Sequence, residues 1–198
     1  MTPDPIAEAV EAALAGRLIV IPTDTVYGIG TRADDAAATA RIFEAKGRSR
    51  EADLPVLLAS LEDARKVAVF DERAEKLAVA FWPGKLTIVL PRSEASRSWS
   101  LGGAGGTVGL RVPGHSLARA IAREAGPLAI TSANTSGESV CTTCDELEAA
   151  FGERVTVYIC EEQPLPTVAS TVVELAGRGH RILREGAIGA GEIAAVLG

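Results

Sequence analysis

The sequence predicts an α/β protein, a single domain over residues 1–198, built on a mixed sheet with helices packed against it. Three observations predict it. Short apolar runs of strand length alternate with stretches of helical periodicity along most of the chain. Some consecutive strands are joined too briefly for a crossover helix, which excludes a purely parallel, doubly wound sheet. Hydrophobic residues make up 47% of the chain and aromatic ones 4%, so Ala, Val, Leu and Ile must supply the core.

The elements follow in order. "IAEAVEAALAGR" spaces Ile6, Ala9, Val10, Ala13 and Leu14 as one helical face, with Gly16 as its stop. Leu18–Ile21 reads as a buried strand. Asp34 and Asp35 open a second helix that runs through Ile42 and Phe43 to Lys46 and ends at Gly47. "PVLLA" is a second buried strand. Ser60 with Asp63 signals a helix start, and a further helix spans Arg73 to Trp82, where Pro83 stops it. Strand Leu86–Leu90 leads into "SEASRSWSLGGAGG", whose glycines predict a mobile loop, and then into "TVGLRVP". Helix His115–Glu124, strand Leu128–Ile130, helix Asp145–Phe151 and strand Val155–Ile159 come next. Strands Thr171–Leu175 and Arg181–Leu183 precede a last helix, Gly191–Leu197. No linker is long or polar enough to divide the chain, and no repeat is present.

Charge and composition exclude several classes. The formal charge is −6, a poor balance for nonspecific nucleic-acid binding, although a local basic cleft remains open. No run approaches the roughly 18 apolar residues of a membrane span. "MTPDPIAEAV" lacks the basic and apolar regions of a secretory signal. Three cysteines, an odd number, point to a reducing compartment and a cytoplasmic protein. Cys141 and Cys144 form a C-x-x-C, but Cys160, His115 and His180 show no paired spacing to complete a zinc site. The reading favoured here is of small buried or loop thiols. No Ser/His/Asp arrangement is legible, and His115 at a helix start reads as a local structural residue.

Polar clusters gather where strands end. "PTDTVYG" follows the first strand, "KGRSR" the second helix, and "TSANTSG" the run "PLAI", while "STVVEL" and "ILREG" bring Ser170 and Arg184. Ligands of open α/β sheets sit beyond strand ends, so these clusters predict a pocket for a polar, anionic ligand. Lys46, Arg48, Arg111 and Arg184 offer the fixed positive charge a polyphosphate requires. Each alone is ordinary surface charge. Arg111 differs, because it alternates with apolar residues in "VGLRV" and an arginine facing a cleft from a strand needs an anion. "TSANTSG" reads either as a hydroxyl-rich phosphate loop or as a plain turn. No G-x-x-x-x-G-K-[ST] is present, and "GGAGG" is not a dinucleotide fingerprint.

Taken together, "PTDTVYGIG", "IFEAKGR", "PVLLAS", "WPGKLTIVL", "VGLRVPGH", "ITSANTSG", "STVVEL" and "ILREG" resemble the YrdC/TsaC family of threonylcarbamoyl-AMP synthases, in family order from about Arg17 to Gly186. The resemblance implies a YrdC-like twisted mixed sheet with flanking helices around a concave, positively charged cavity. It implies that L-threonine, bicarbonate and ATP are converted to threonylcarbamoyl-AMP and pyrophosphate, with Mg²⁺ bound through the phosphates. Carried over residue by residue, threonine contacts fall on Thr25, Tyr27, Arg111, Ile130 and Ser170. ATP contacts fall on Lys46, Arg48, Thr107, Ser132, Asn134 and Arg184, and Lys46, Arg48 and Arg111 carry the catalytic charge. The product passes to a separate tRNA threonylcarbamoyl transferase complex, with at most weak RNA contact by this chain and no membrane.

The chain departs from the family pattern in places. "SREADLP" follows K-x-R where a proline is usual, so Asp53 and Leu54 are left out of the site; Ala59 stands where relatives carry a histidine, and Val140 where they carry a serine. An extra C-terminal domain is not expected. Two other readings compete: an RNA-binding module without turnover, and a carbamoyl-AMP-forming domain.

Overall fold

The protein is described by a computed structural model covering residues 4–198; residues 1–3 of the expected domain lie outside the described residues. Asp4 accepts from the Ile6 amide and Pro5 opens the first helix, α1 (Pro5–Leu14). A hairpin follows, β1 (Ile19–Ile21) and β2 (Gly28–Arg32), then α2 (Ala36–Lys46), capped by Asp35 and closed by Gly47 in the left-handed conformation. The middle of the chain forms β3 (Val56–Leu57), α3 (Leu61–Val67), α4 (Glu72–Phe81), β4 (Leu86–Pro91), β5 (Thr107–Arg111) and α5 (Ser116–Ala125). The last part forms β6 (Leu128–Ser132), α6 (Cys144–Phe151), β7 (Val157–Tyr158), β8 (Thr171–Glu174), β9 (Arg181–Arg184) and α7 (Ala190–Leu197).

Among the described residues, nine strands form one twisted sheet in the order β7-β1-β2-β6-β3-β5-β4-β8-β9. β1–β7, β3–β5 and β4–β8 pair in parallel and the other neighbours antiparallel, so the sheet is mixed as expected. Strand alternation divides the core between its faces. Leu18, Val20, Val56, Ile88, Leu110 and Val173 join the larger cluster, with α2, α4 and α7. Ile19, Ile21, Leu57, Leu128 and Ile130 turn the other way, onto α1 and α5. That second helical layer covers β1, β6 and β3. Thr87 and Val89 of β4, Gly109 of β5 and Val172 of β8 share the parity of this face and line a cleft.

One strand escaped the sequence reading. β2 reads "GIGTR", and two glycines weaken a strand signal. Both are required by the neighbour: a Cβ on Gly28 would lie 2.7 Å from Ile130 Cδ1, and one on Gly30 2.4 Å from the Ala129 carbonyl oxygen. Gly30→Ala is therefore expected to cost about 3 kcal/mol and lower Tm by about 6–12 °C. Gly177→Ala, which faces open space, should leave Tm unchanged in the same melts.

The expected strands at "PVLLA" and Val155–Ile159 shorten to two paired residues each, and helix Arg73–Trp82 ends at Phe81. The glycine loop is also more tied down than its composition predicts. Gly103 N donates to Arg50 O, Leu54 N to Leu101 O, and buried Arg92 holds the carbonyls of Thr107 and Trp99. Leu101 is buried beneath it. The cysteine reading needs correction: Cys144 is disulfide-bonded to Cys160, leaving Cys141 as the free thiol, so the cysteines do not point to a reducing compartment. The C-x-x-C partners do not pair with each other, because Cys144 opens α6 and faces the chain leaving β7.

Candidate functional site

A cleft of about 340 Å³ opens on the uncovered part of the sheet. Its floor is apolar: Pro55, Leu57, Val89, Gly109 and Val172. Its walls carry the guanidiniums of Arg48, Arg111 and Arg184, hydroxyls from several strand ends, and the carboxylates of Asp53 and Glu174. β5 contributes Thr107, Gly109 and Arg111 at spacing two, which puts all three on one face.

Arg111 is 7% exposed and already donates three of its five N–H groups to the protein. Its Nε donates to Gly84 O at 2.9 Å, Nη1 to Thr25 Oγ1 at 2.8 Å and Nη2 to Asp24 Oδ1 at 2.6 Å. Burial pushes its pKa down, and the Asp24 charge opposes that shift. The anion that a strand arginine requires is thus partly supplied by the fold. Asp24 is wedged between this guanidinium and Gly114, where a Cβ would lie 2.8 Å from Asp24 Oδ2.

Opposite, Arg48 Nη1 donates to Thr131 Oγ1 at 3.0 Å and Nη2 to Asp53 O at 3.2 Å. Arg184 donates through Nε and Nη2 to Ser170 O and through Nη2 to Ser170 Oγ, which lies 2.9 Å from Thr87 Oγ1. Burial lowers the pKa of both arginines, and each keeps its charge at neutral pH because the starting value is so high.

The cleft thus brings together Thr25, Tyr27, Arg48, Thr107, Arg111, Ile130, Ser132, Ser170 and Arg184 from the expected set. Tyr27 reaches it without its hydroxyl, which accepts from Glu161 N at 2.8 Å. Lys46 and Asn134 are placed elsewhere. Lys46 is 2% exposed, and its Nζ donates to Ser132 O and Asn134 O, each at 2.5 Å, and to Asn134 Oδ1. It holds the "TSANTSG" turn from behind, since α2 ends directly beneath that turn. Burial, with the nearby Arg48 charge, pulls its pKa down to about 8. Asn134 accepts from Ser132 Oγ at 2.6 Å and donates to Thr135 O and Glu138 O, so its amide shapes the turn.

Sequence reasoning missed Thr23, Asp53, Thr87 and Glu174, which also line the cleft. Thr87 had a usable signal, a polar residue inside an apolar strand. Asp53 was set aside because its loop departs from the expected pattern; Leu54 is buried in the core. His115 does not line the cleft, and its Nε2 lies 3.1 Å from Glu161 Oε1. Among the described residues no group of three or more His, Cys, Asp or Glu gathers to hold a metal ion, and no helix is long and apolar enough to cross a membrane.

An apolar floor, convergent guanidiniums and hydroxyls, and a position at strand ends define a small-ligand-binding α/β domain. The chain belongs to the Sua5/YciO/YrdC family, whose model, described as "Telomere recombination", matches residues 11–186. It is 44% identical over 194 residues to the putative threonylcarbamoyl-AMP synthase of Mycobacterium leprae, covering 98% of this chain and 88% of that protein. Its fold matches P. abyssi Sua5 complexed with L-threonine at a TM-score of 0.89 and 34% identity, over 100% of this chain and 59% of that one. E. coli YciO matches at 0.84 and 26% identity, covering 94% of this chain and 92% of that one.

Proposed function

We propose that the chain is a threonylcarbamoyl-AMP synthase, a nucleotidyltransferase that converts L-threonine, bicarbonate and ATP to threonylcarbamoyl-AMP, pyrophosphate and water. The observation that carries this reading is the joining, in one cleft, of an Arg111–Thr25 pair on one wall to Arg48, Thr107, Ser132 and Arg184 around the other. The names of the relatives support the same reaction.

Three anionic groups must meet: the threonine carboxylate, the carbamate formed on its amine, and the triphosphate. Three guanidiniums line the cleft beside the carboxylates of Asp53 and Glu174, and Asp24 pairs with Arg111, so the arginines supply directed donors to the anions. Arg111 and Ser170 take the amino-acid carboxylate, with Ile130 against the side chain. Arg48, Thr107, Ser132 and Arg184 take the phosphates. A carbamate oxygen then attacks the α-phosphorus and pyrophosphate leaves, so positioning and charge neutralisation do the work and no protein nucleophile is needed. Lys46 and Asn134 act behind Ser132 by holding its turn. Mg²⁺ fits as a companion of ATP: Asp53 and Glu174 are the cleft's carboxylates, so phosphate oxygens would supply most of its ligands. The product serves modification of a tRNA adenosine beside the anticodon, through a separate transferase complex in the cytoplasm, with weak RNA contact at most.

Purified protein incubated with ATP, Mg²⁺, bicarbonate and L-threonine is expected to yield threonylcarbamoyl-AMP and pyrophosphate by chromatography and mass spectrometry. Omitting threonine or bicarbonate should abolish the product. Carbamoyl-AMP and pyrophosphate formed from ATP when carbamoyl phosphate replaces threonine and bicarbonate, with no threonylcarbamoyl-AMP from the full mixture, would sink this assignment in favour of carbamoyl-AMP chemistry. Salt-sensitive RNA affinity without turnover would favour the binding module.

A further inference from the structure

We propose that Thr23 is a positioning residue that fixes the direction of the Thr25 hydroxyl, so that Thr25 offers the cleft a hydrogen-bond acceptor and no donor. The inference rests on the amino-acid site proposed above and assigns the chemistry of the group that meets Thr25: an N–H or O–H of the substrate, and not its carboxylate.

Donor and acceptor accounting at the two ends of a short chain carries the argument. At one end stands Arg111, whose guanidinium only donates. Its Nη1 lies 2.8 Å from Thr25 Oγ1, so Thr25 accepts there. At the other end stands the Val26 carbonyl, which only accepts, 2.5 Å from Thr23 Oγ1. Two oxygens that close need a hydrogen between them, and only Thr23 can supply it. The single hydroxyl hydrogen of Thr23 is thereby used. Thr23 Oγ1 and Thr25 Oγ1 are 3.0 Å apart and hydrogen-bonded, so the hydrogen between them belongs to Thr25.

The order is then fixed from end to end: Arg111 donates to Thr25, Thr25 to Thr23, and Thr23 to Val26 O. The reverse direction would leave the Val26 carbonyl against a bare oxygen lone pair. Thr23 Oγ1 takes two longer contacts, from the amides of Thr25 at 3.2 Å and Val26 at 3.3 Å, on its one remaining lone pair, which the two share. It is saturated and has nothing left for a ligand, although it lines the cleft. Both threonines are buried, Thr23 at 5% and Thr25 at 1% exposure, so water is poorly placed to break the chain. Thr25 keeps one lone pair free. A substrate whose carboxylate lies on Arg111 brings its amine or β-hydroxyl within reach of that lone pair, while a carboxylate oxygen placed there would meet another acceptor.

The test is calorimetric binding of L-threonine and of ATP to the full chain and its variants, beside initial rates. Thr23→Val frees the Thr25 hydroxyl to turn its hydrogen into the cleft. It is expected to raise the threonine Kd about 10-fold with ATP affinity within twofold, and Thr23→Ser should restore the wild-type value. Thr25→Val should show a similar loss, and the double variant should be no worse than either single one, because the two act as a unit. Thr23→Ala, which removes atoms without adding bulk, gives the same comparison should the valine variant fail to fold, as loss of ATP binding would reveal. A Thr23→Val or Thr23→Ala protein with unchanged or tighter threonine binding would overturn the inference, as would additive losses in the double variant. A wild-type protein that neither binds nor consumes threonine overturns the proposed function itself, and this inference with it.

Discussion

Replacing Arg111 by alanine is expected to raise the threonine KM by about 100-fold while moving the ATP KM by less than about threefold. Arg111 is nearly enclosed, and its three outgoing bonds fix the guanidinium plane before any ligand arrives. A charge-assisted contact from such a preorganised donor is worth about 1.5–3 kcal/mol, or roughly 10- to 150-fold in affinity. Removal also strands Asp24, whose carboxylate sits 2.6 Å from Nη2 and would then repel the incoming threonine carboxylate. Adding Asp24→Asn to Arg111→Ala should therefore recover part of the threonine affinity. Initial-rate kinetics with each substrate varied in turn read both effects. Equal losses for threonine and ATP would remove Arg111 from the amino-acid site.

Lys46→Met is expected to lower stability by about 2–3 kcal/mol and kcat/KM for ATP by about 100-fold. Methionine fills similar space but leaves the carbonyls of Ser132 and Asn134 without their shared donor. Relief from burying a charge offsets part of that loss without cancelling it. The catalytic effect follows from the turn, since Ser132 lies in the cleft and Lys46 does not. The variant should also change the pH dependence of stability. With the pKa near 8 in the fold and an ordinary 10.5 in the unfolded chain, the unfolded state holds more protons between those values. Wild-type stability should therefore rise with pH from about 8 towards 10.5, and denaturant titrations of Lys46→Met should lack that rise. A variant that keeps wild-type ATP kinetics would overturn the positioning role.

Much of the architecture was legible because its determinants are local. Asp35, Ser60 and Gly47 cap helices where sequence rules place them, and the run Leu18–Ile21 could only be buried. β2 was not legible, because its glycines are chosen by Ile130 and Ala129, about a hundred positions away. Residues of the cleft lining are legible where a polar side chain interrupts an apolar pattern, as Arg111 does and as Thr87 could have been read. Asp53 was lost because its loop departs from the family pattern, and Thr23 because nothing in the cluster "PTDT" tells which of its two hydroxyls the fold turns to the Arg111 side.

The sequence by itself determined the element order, the mixed sheet and the clusters of hydroxyls and guanidiniums at strand ends, since periodicity, caps and motif composition are properties of neighbours along the chain. Only the tertiary structure decided that Lys46 turns inward to hold a turn, that Arg111 is partnered by Asp24, and that Cys144 bonds Cys160 and not Cys141. Each of these depends on which residues distant in sequence the sheet brings within a few ångströms. A charged or reactive side chain reads the same in a sequence whatever partner the fold assigns to it.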